Sequence, residues 1–180
     1  MPLGRFYSVE ATARHYKVPI YKADNVNSQA HLDYLRRLKP DVIVSAQGQI
    51  FKKELLGLPK IACINRHSAL LPKYGGLWPV FWAMLKGEKE IGVTVHIMEE
   101  KIDAGKILAQ REIPILSSDS LYSLYRKAFG ISAQVVLEAL EKLAKKSVKF
   151  IPNDPQRASY FSMPTVKEAS LFRKKGLKFI

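Results

Sequence analysis

Two short apolar runs, "DVIVSA" (residues 41 to 46) and "KIACIN" (60 to 65), constrain this chain more than any other feature. Neither alternates apolar with polar positions, so each reads as a strand buried on both faces. Between them, "FKKELLGL" (51 to 58) has the composition of a brief helix closed near Gly57 and Pro59. Strand, helix, strand with unpatterned strands is the mark of a parallel sheet covered on both sides. A helix upstream fits the same plan. "NSQAHLDYLRRLKP" sets Leu32, Leu35 and Leu38 at helical spacing behind Asn and Ser caps, and Pro40 stops it.

The remaining elements follow from the same signals. A helix is predicted over "SVEATARHY" (8 to 16) and a short strand over "VPIYKA" (18 to 23). "WPVFWAMLKG" reads as a helix with Pro79 in its first turn and Gly87 at its end. "IGVTVHIM" (91 to 98) and "ILAQREIPI" (107 to 115) read as strands able to pair across the polar loop "EEKIDAGK". The longest helical pattern runs from about Ser118 to Lys146, apolar at Leu121, Leu124, Tyr125, Ala128, Val135, Val136, Ala139, Leu140 and Leu143, with Gly130 as a weak point. Thr165 and Glu168 form a capping-box signal for a last helix ending at Gly176.

The predicted fold class is therefore α/β, a Rossmann-like, doubly wound and mostly parallel sheet. At 180 residues and 47% hydrophobic, the chain has material for one domain. We expect residues 1–150 to form it and residues 151–180 to be a C-terminal extension with a short helix. One oddity is that the chain opens with a helix, without the first strand and Gly-rich phosphate-binding turn that usually begin such domains.

Charge and cysteine content narrow the function. With 29 Lys+Arg against 16 Asp+Glu, the formal charge of +13 favours phosphates, nucleotides or nucleic acid as partners. The basic runs at 141 to 149 and 172 to 178 read as solvated helix faces, and aromatic residues are not interleaved with them as base stacking would need. No apolar run reaches about 18 residues and no secretory stretch is visible, so a cytoplasmic protein with no membrane partner is expected. The single cysteine, Cys63, excludes an internal disulfide, and no Cys/His cluster has zinc-site spacing, so no metal is expected.

Ligands of open parallel sheets sit beyond the carboxyl ends of the strands. "CINRHSALLPKYGG" (63 to 76) puts Asn65 and His67 there. In extended chain these two point the same way, with Cα atoms roughly 6–7 Å apart, and can face one carbonyl oxygen. Such a histidine works best beside a carboxylate, and Asp103 is well placed because its loop follows another buried strand. Gly105 lets that loop turn tightly. Asn, His and Asp without a Ser or Cys nucleophile suggest acyl transfer in which the substrate itself, an amine, attacks. Each residue also has a plainer account: an isolated N-x-H is more often a capped turn, and an Asp before Ala-Gly a turn residue. Cys63 shares the parity of the pair but lies deeper, as an inert thiol. His96 reads as a core or sheet-face histidine, His15 and His31 as unpatterned helix residues, and Trp78, Phe81, Trp82 and Leu85 as core.

Three stretches together resemble the folate-dependent formyltransferases, a family that includes methionyl-tRNA, glycinamide ribonucleotide and sugar N-formyltransferases. "INRHSALLPKYGGLWP" resembles the family's Asn-x-His followed by Ser-Leu-Leu-Pro, "GVTVHIMEEKIDAGKILAQ" its second signature, and "DVIVSAQGQIF" its pterin-binding strand and turn, across residues 8 to 146. The resemblance implies transfer of a formyl group from 10-formyltetrahydrofolate to a primary amine. It implies that Asn65 and His67 bind the formyl oxygen and stabilise the tetrahedral intermediate, while Asp103 supports His67 and manages the amine proton. It further implies a pterin lying against Gln49, Ile50 and Phe51 and the loop of Glu99, Glu100, Lys101 and Ile102, largely through backbone hydrogen bonds. A small, phosphate-bearing amine is the expected acceptor. Methionyl-tRNA ranks behind it, because no additional tRNA-binding barrel follows "ASYFSMPT". Hydrolysis of the formyl donor, or folate or RNA binding without turnover, are the alternatives.

The sequence departs from the family pattern in three places. Arg66 stands where the family has an apolar residue, its side chain expected to find solvent or a carboxylate. The motif's Ser aligns with Ala69, with Ser68 one place early. The family's first strand and Gly-rich turn have no match, as though about one βαβ unit preceded Met1 and the chain were N-terminally truncated. The sheet edge so exposed is one that a homodimer or another partner would cover.

Overall fold

A computed structural model describes residues 8–46, 48–145 and 148–180. In chain order the elements are α1 (Val9–His15), α2 (Gln29–Leu38), β1 (Val42–Ser45), α3 (Lys53–Leu56), β2 (Ala62–His67), β3 (Gly75–Gly76), α4 (Pro79–Lys86), β4 (Glu90–Ile97), β5 (Ile107–Pro114), α5 (Leu121–Ala144), β6 (Tyr160–Phe161) and α6 (Val166–Lys174). The helix ends are set locally. The hydroxyls of Ser8 and Ser28 accept from the backbone at the starts of α1 and α2, and α5 and α6 carry reciprocal capping boxes at Ser120/Ser123 and Thr165/Glu168. Pro79 opens α4, and Gly87 at φ +78° closes it. The expected end of α5 at Lys146 lies outside the described residues.

The α/β, Rossmann-like architecture expected from the sequence is the one the chain has. The strand order is β1-β2-β4-β5. Strand direction needs a correction, because among the described residues β1 and β2 pair in parallel whereas β2–β4 and β4–β5 are antiparallel. Burial on both faces gives an unpatterned strand whichever way it runs: β4 is buried from Ile91 to His96 and is antiparallel to both neighbours. A second correction concerns residues 18–23, which form no strand. Pro19 removes a ladder donor there, and Tyr21 stacks on Tyr34 of α2 at 4.0 Å between ring centroids.

Strand alternation divides β2 between two cores. Cys63 faces a small cluster with Leu32, Phe51 and Leu55, under α2 and α3. Ile64 faces the main cluster, where Val93, Val95, Leu108 and Ala109 of the sheet meet Phe81 of α4 and Leu124, Ala128 and Ala139 of α5. Residues 151–180 close that cluster. Phe172 of α6 is fully buried and stacks on Phe81 at 4.7 Å, the Trp82 indole N–H donates to the Ser162 carbonyl, and β6 pairs with β3. No helix among the described residues is long and apolar enough to cross a membrane.

Phe172→Ala should therefore cost about 3–5 kcal/mol, as truncation of a buried aromatic does. Urea unfolding followed by Trp fluorescence and by circular dichroism should shift as one transition. A fluorescence transition unmoved by the substitution would show that the extension folds apart from the rest.

Candidate active site

The register of the sheet assembles the site. β2 lies against β4 with Asn65 opposite His96 and His67 opposite Thr94, so Asn65, His67 and His96 emerge on one face. Asn65 Nδ2 is 3.4 Å from His96 Nε2. Asp103, in the loop after β4, holds a left-handed backbone at φ +53°. That loop is pressed onto the strand end. A Cβ at Gly105 would lie 2.0 Å from the Ile97 carbonyl oxygen, so only glycine fits, and the Asn153 amide donates to the Asp103 and Gly105 carbonyls at 3.0 and 2.8 Å.

This brings the Asp103 carboxylate between two imidazoles. Oδ1 is 3.3 Å from His96 Nε2, Oδ2 is 3.8 Å from His67 Nδ1, and the Gly76 backbone N–H donates to Oδ2 at 2.7 Å. Burial pushes the carboxyl upward, but the His96 contact, the His67 ring and the Gly76 N–H outweigh it and hold the pKa down at about 2. Asp103 is thus an anion held by the Gly76 N–H and set between two imidazoles.

The rings are oriented by main-chain carbonyls. His67 Nε2 lies 2.8 Å from the Tyr74 carbonyl, which can only accept, so Nε2 carries the proton and the neutral ring turns the Nδ1 lone pair toward Asp103. Burial lowers the His67 pKa, against the pull of Asp103 and the Tyr74 carbonyl, so the ring rests neutral at pH 7. His96 Nδ1 likewise donates to the Ile97 carbonyl at 2.8 Å, leaving Nε2 between the carboxylate and the Asn65 amide. A proton on Nε2 satisfies the carboxylate, and a lone pair there satisfies the amide.

A cavity of about 420 Å³ opens onto these groups. Asn65, His67 and Asp103 all line it, and so does His96, expected from the sequence to be a core or sheet-face histidine. Of the residues expected against the pterin, Gln49, Ile50, Phe51, Glu99, Glu100 and Ile102 border the cavity, whereas Lys101 does not. Their side chains are unequal. The Gln49 amide accepts from Val26 N–H and donates to the Asp24 carbonyl, both at 3.1 Å, Phe51 packs in the small core, and Ile50 is 63% exposed. Cys63 is an inert thiol: burial pushes its pKa up to about 11 and its Sγ–H points at the Leu55 carbonyl. Arg66 stays half-buried and pairs with no carboxylate among the described residues. It donates to the Ser68 hydroxyl and lies 4.5 Å over the Phe129 ring.

A family model described as formyl transferase matches residues 4–140. The methionyl-tRNA formyltransferase of Halalkalibacterium halodurans is 38% identical over 170 residues, 93% of this chain and 54% of that one. The corresponding protein of Thermotoga maritima is 34% identical over 164 residues, 91% of this chain and 52% of that one. Among solved structures, an N-formyltransferase from Helicobacter canadensis in complex with folinic acid and dTDP-3-aminofucose is similar with a TM-score of 0.70 at 25% identity, over 86% of this chain and 54% of that one. The chain spans about half the length of the curated relatives it matches.

The electrostatics predict a pH signature. Because the folded-state pKa of Asp103, about 2, is depressed below the unfolded value, its contribution is present above pH 4 and is lost as the pH falls through 2. The stability difference between the wild type and Asp103→Asn, from urea unfolding, should shrink by roughly 2 kcal/mol between pH 5 and pH 2. A difference constant with pH would remove the charged carboxylate from the account.

Proposed function

Since the chain belongs to the formyl transferase family, we propose that its cavity moves the formyl group of 10-formyltetrahydrofolate onto a primary amine, with Asn65, His67 and Asp103 as the reacting side chains. The observation that carries this reading is the convergence of an amide, two imidazoles and an ionised carboxylate on one cavity. The cavity suits a flat, partly apolar donor: Ile50, Phe51, Met98 and Ile102 supply apolar wall. Bound there, the donor supplies an activated formyl carbon. In the Helicobacter canadensis structure, a folate occupies the related fold.

The geometry gives each side chain a task. Asn65 offers an amide N–H to the formyl oxygen. His67, neutral with an unprotonated Nδ1, accepts the proton that the attacking amine must lose, and as an imidazolium can pass it to the departing nitrogen. Donation from His67 to the formyl oxygen, the role implied by the family resemblance, therefore requires Nδ1 to be protonated first. Asp103, 3.8 Å away, stabilises that cation, and His96 Nε2, 3.3 Å from Oδ1, helps to hold Asp103 in place.

The net charge of +13 supports an acceptor that bears phosphate. Reading from sequence put a small acceptor ahead of tRNA. The Halalkalibacterium halodurans and Thermotoga maritima relatives are methionyl-tRNA formyltransferases, which supports the methionyl amine of an aminoacylated tRNA as the first reading. An amino-sugar nucleotide is the second reading, favoured by the likeness to the enzyme complexed with dTDP-3-aminofucose.

Tetrahydrofolate release from 10-formyltetrahydrofolate should require an amine, with methionyl-tRNA and amino-sugar nucleotides as the acceptors to compare. Asn65→Ala and Asp103→Asn should each slow transfer by about a hundredfold or more while donor affinity stays within a few-fold, the cost of losing a preorganised electrostatic partner. Formate release that no amine diverts would replace transfer with hydrolysis, and unchanged rates in both variants would remove these residues from the chemistry.

A further inference from the structure

The residue between Asn65 and His67 brings an opposite polarity to the same cavity. Alternation sends Arg66 to the other face of β2, against α5, where its guanidinium lies over the Phe129 ring and donates from Nη1 to the buried Ser68 hydroxyl. None of the ion pairs among the described residues includes it. A guanidinium has five N–H donors; the ring face accepts none of them in plane, and Ser68 takes one. Burial lowers its pKa, yet an arginine stays a cation at neutral pH. A half-buried cation without a counter-charge is costly to maintain. Arg66 and Ser68 both border the reaction cavity, beside Trp78 and Pro79 at the start of α4. The first turn of that helix carries no acidic residue to offset its positive end. The carboxylates that line the cavity, Glu99, Glu100 and Asp103, all come from the β4–β5 loop.

We infer that Arg66 is a specificity-determining residue that anchors a phosphate group of the acceptor. The inference rests on the proposed formyl transfer for the identity of the bound molecule, but not for the existence of the anion site. A planar guanidinium suits the paired oxygens of a phosphate, and the Phe129 ring and Ser68 hydroxyl hold it at a fixed angle. Because Arg66 neighbours both Asn65 and His67 on one strand, an anion bound there fixes the acceptor relative to the groups that meet its amine. The glutamate carboxylates of the folate are the other candidate anion, which the donor titration distinguishes.

The full chain is titrated with inorganic pyrophosphate and, separately, with 10-formyltetrahydrofolate, following Trp fluorescence for wild type, Arg66→Met and Arg66→Lys. Arg66→Met should weaken pyrophosphate by ten- to hundredfold, on the order of one to two charge-assisted hydrogen bonds, and raise the acceptor KM similarly, with kcat and donor affinity within about twofold. Arg66→Lys should retain part of the pyrophosphate affinity, and it decides the matter should Arg66→Met fail to fold. Unchanged pyrophosphate affinity in both variants overturns the proposal. So does a loss confined to the donor, which would assign the arginine to folate, or a parallel loss of both affinities with a lowered Tm, which would make it structural. Pyrophosphate binding needs no turnover, so failure of formyl transfer and failure of the anion site are read separately.

Discussion

The Asp103 carboxylate is the joint on which the site depends. It is held by the Gly76 N–H and lies against His96 and His67, which ties together the end of β2, the β3 turn and the loop after β4. Each of these groups is polar and buried, so each would be costly to leave unmatched in a medium of low dielectric. The backbone is committed to this arrangement as well. Asp103 itself adopts a left-handed conformation that few non-glycine residues take, and Asn153 clasps the carbonyls on either side of the turn. A left-handed backbone and buried polar groups thus coincide at the mouth of the cavity.

The same joint draws the C-terminal segment into the site without giving it a reacting group. The Gly75 N–H donates to the Ser159 carbonyl and the Tyr74 N–H to the Ser159 hydroxyl. A Cβ at Gly76 would lie 2.2 Å from the Phe161 carbonyl oxygen, so a glycine is needed for β6 to lie alongside. These contacts fix the Tyr74 carbonyl, which in turn sets which nitrogen of His67 carries the proton. The packing of Phe172 against Phe81 anchors the segment from the other side. A proton position in the cavity is thereby linked, through one loop, to an aromatic contact in the main core.

How much of this was legible in the sequence follows from how local each signal is. Helix caps at Ser28 and Thr165 act within four residues and were readable. Asn65 and His67 were readable because a period of two puts them on one face. Asp103 was readable because its loop leaves a buried strand at the right edge. His96 was not, since nothing in "GVTVHIM" reveals that it lies opposite Asn65; that depends on register between strands about thirty residues apart. Strand direction was hidden for the same kind of reason, as burial on both faces looks alike in either sense. The Gln49 amide also bonds to the backbone of Val26 and Asp24, 23 and 25 residues away, a pairing that no local pattern encodes.

Arg66 shows why a strand end can serve two chemistries at once. Inside a sheet, neighbouring residues face different layers and never share a ligand. Beyond the carboxyl edge the layers separate, and one cavity can reach both faces, as it does here with Asn65 and His67 on one side and Arg66 on the other. The two faces are balanced differently. The Asp103 carboxylate is met by the Gly76 N–H and lies against two imidazoles, whereas among the described residues the guanidinium donates to the Ser68 hydroxyl alone. The overall charge of +13 acts over a screening length of about 8–10 Å, enough to draw an anionic molecule to the surface but not to orient it. Orientation requires a fixed contact at bonding distance, and among the described residues the half-buried guanidinium next to the reacting pair is built to make one.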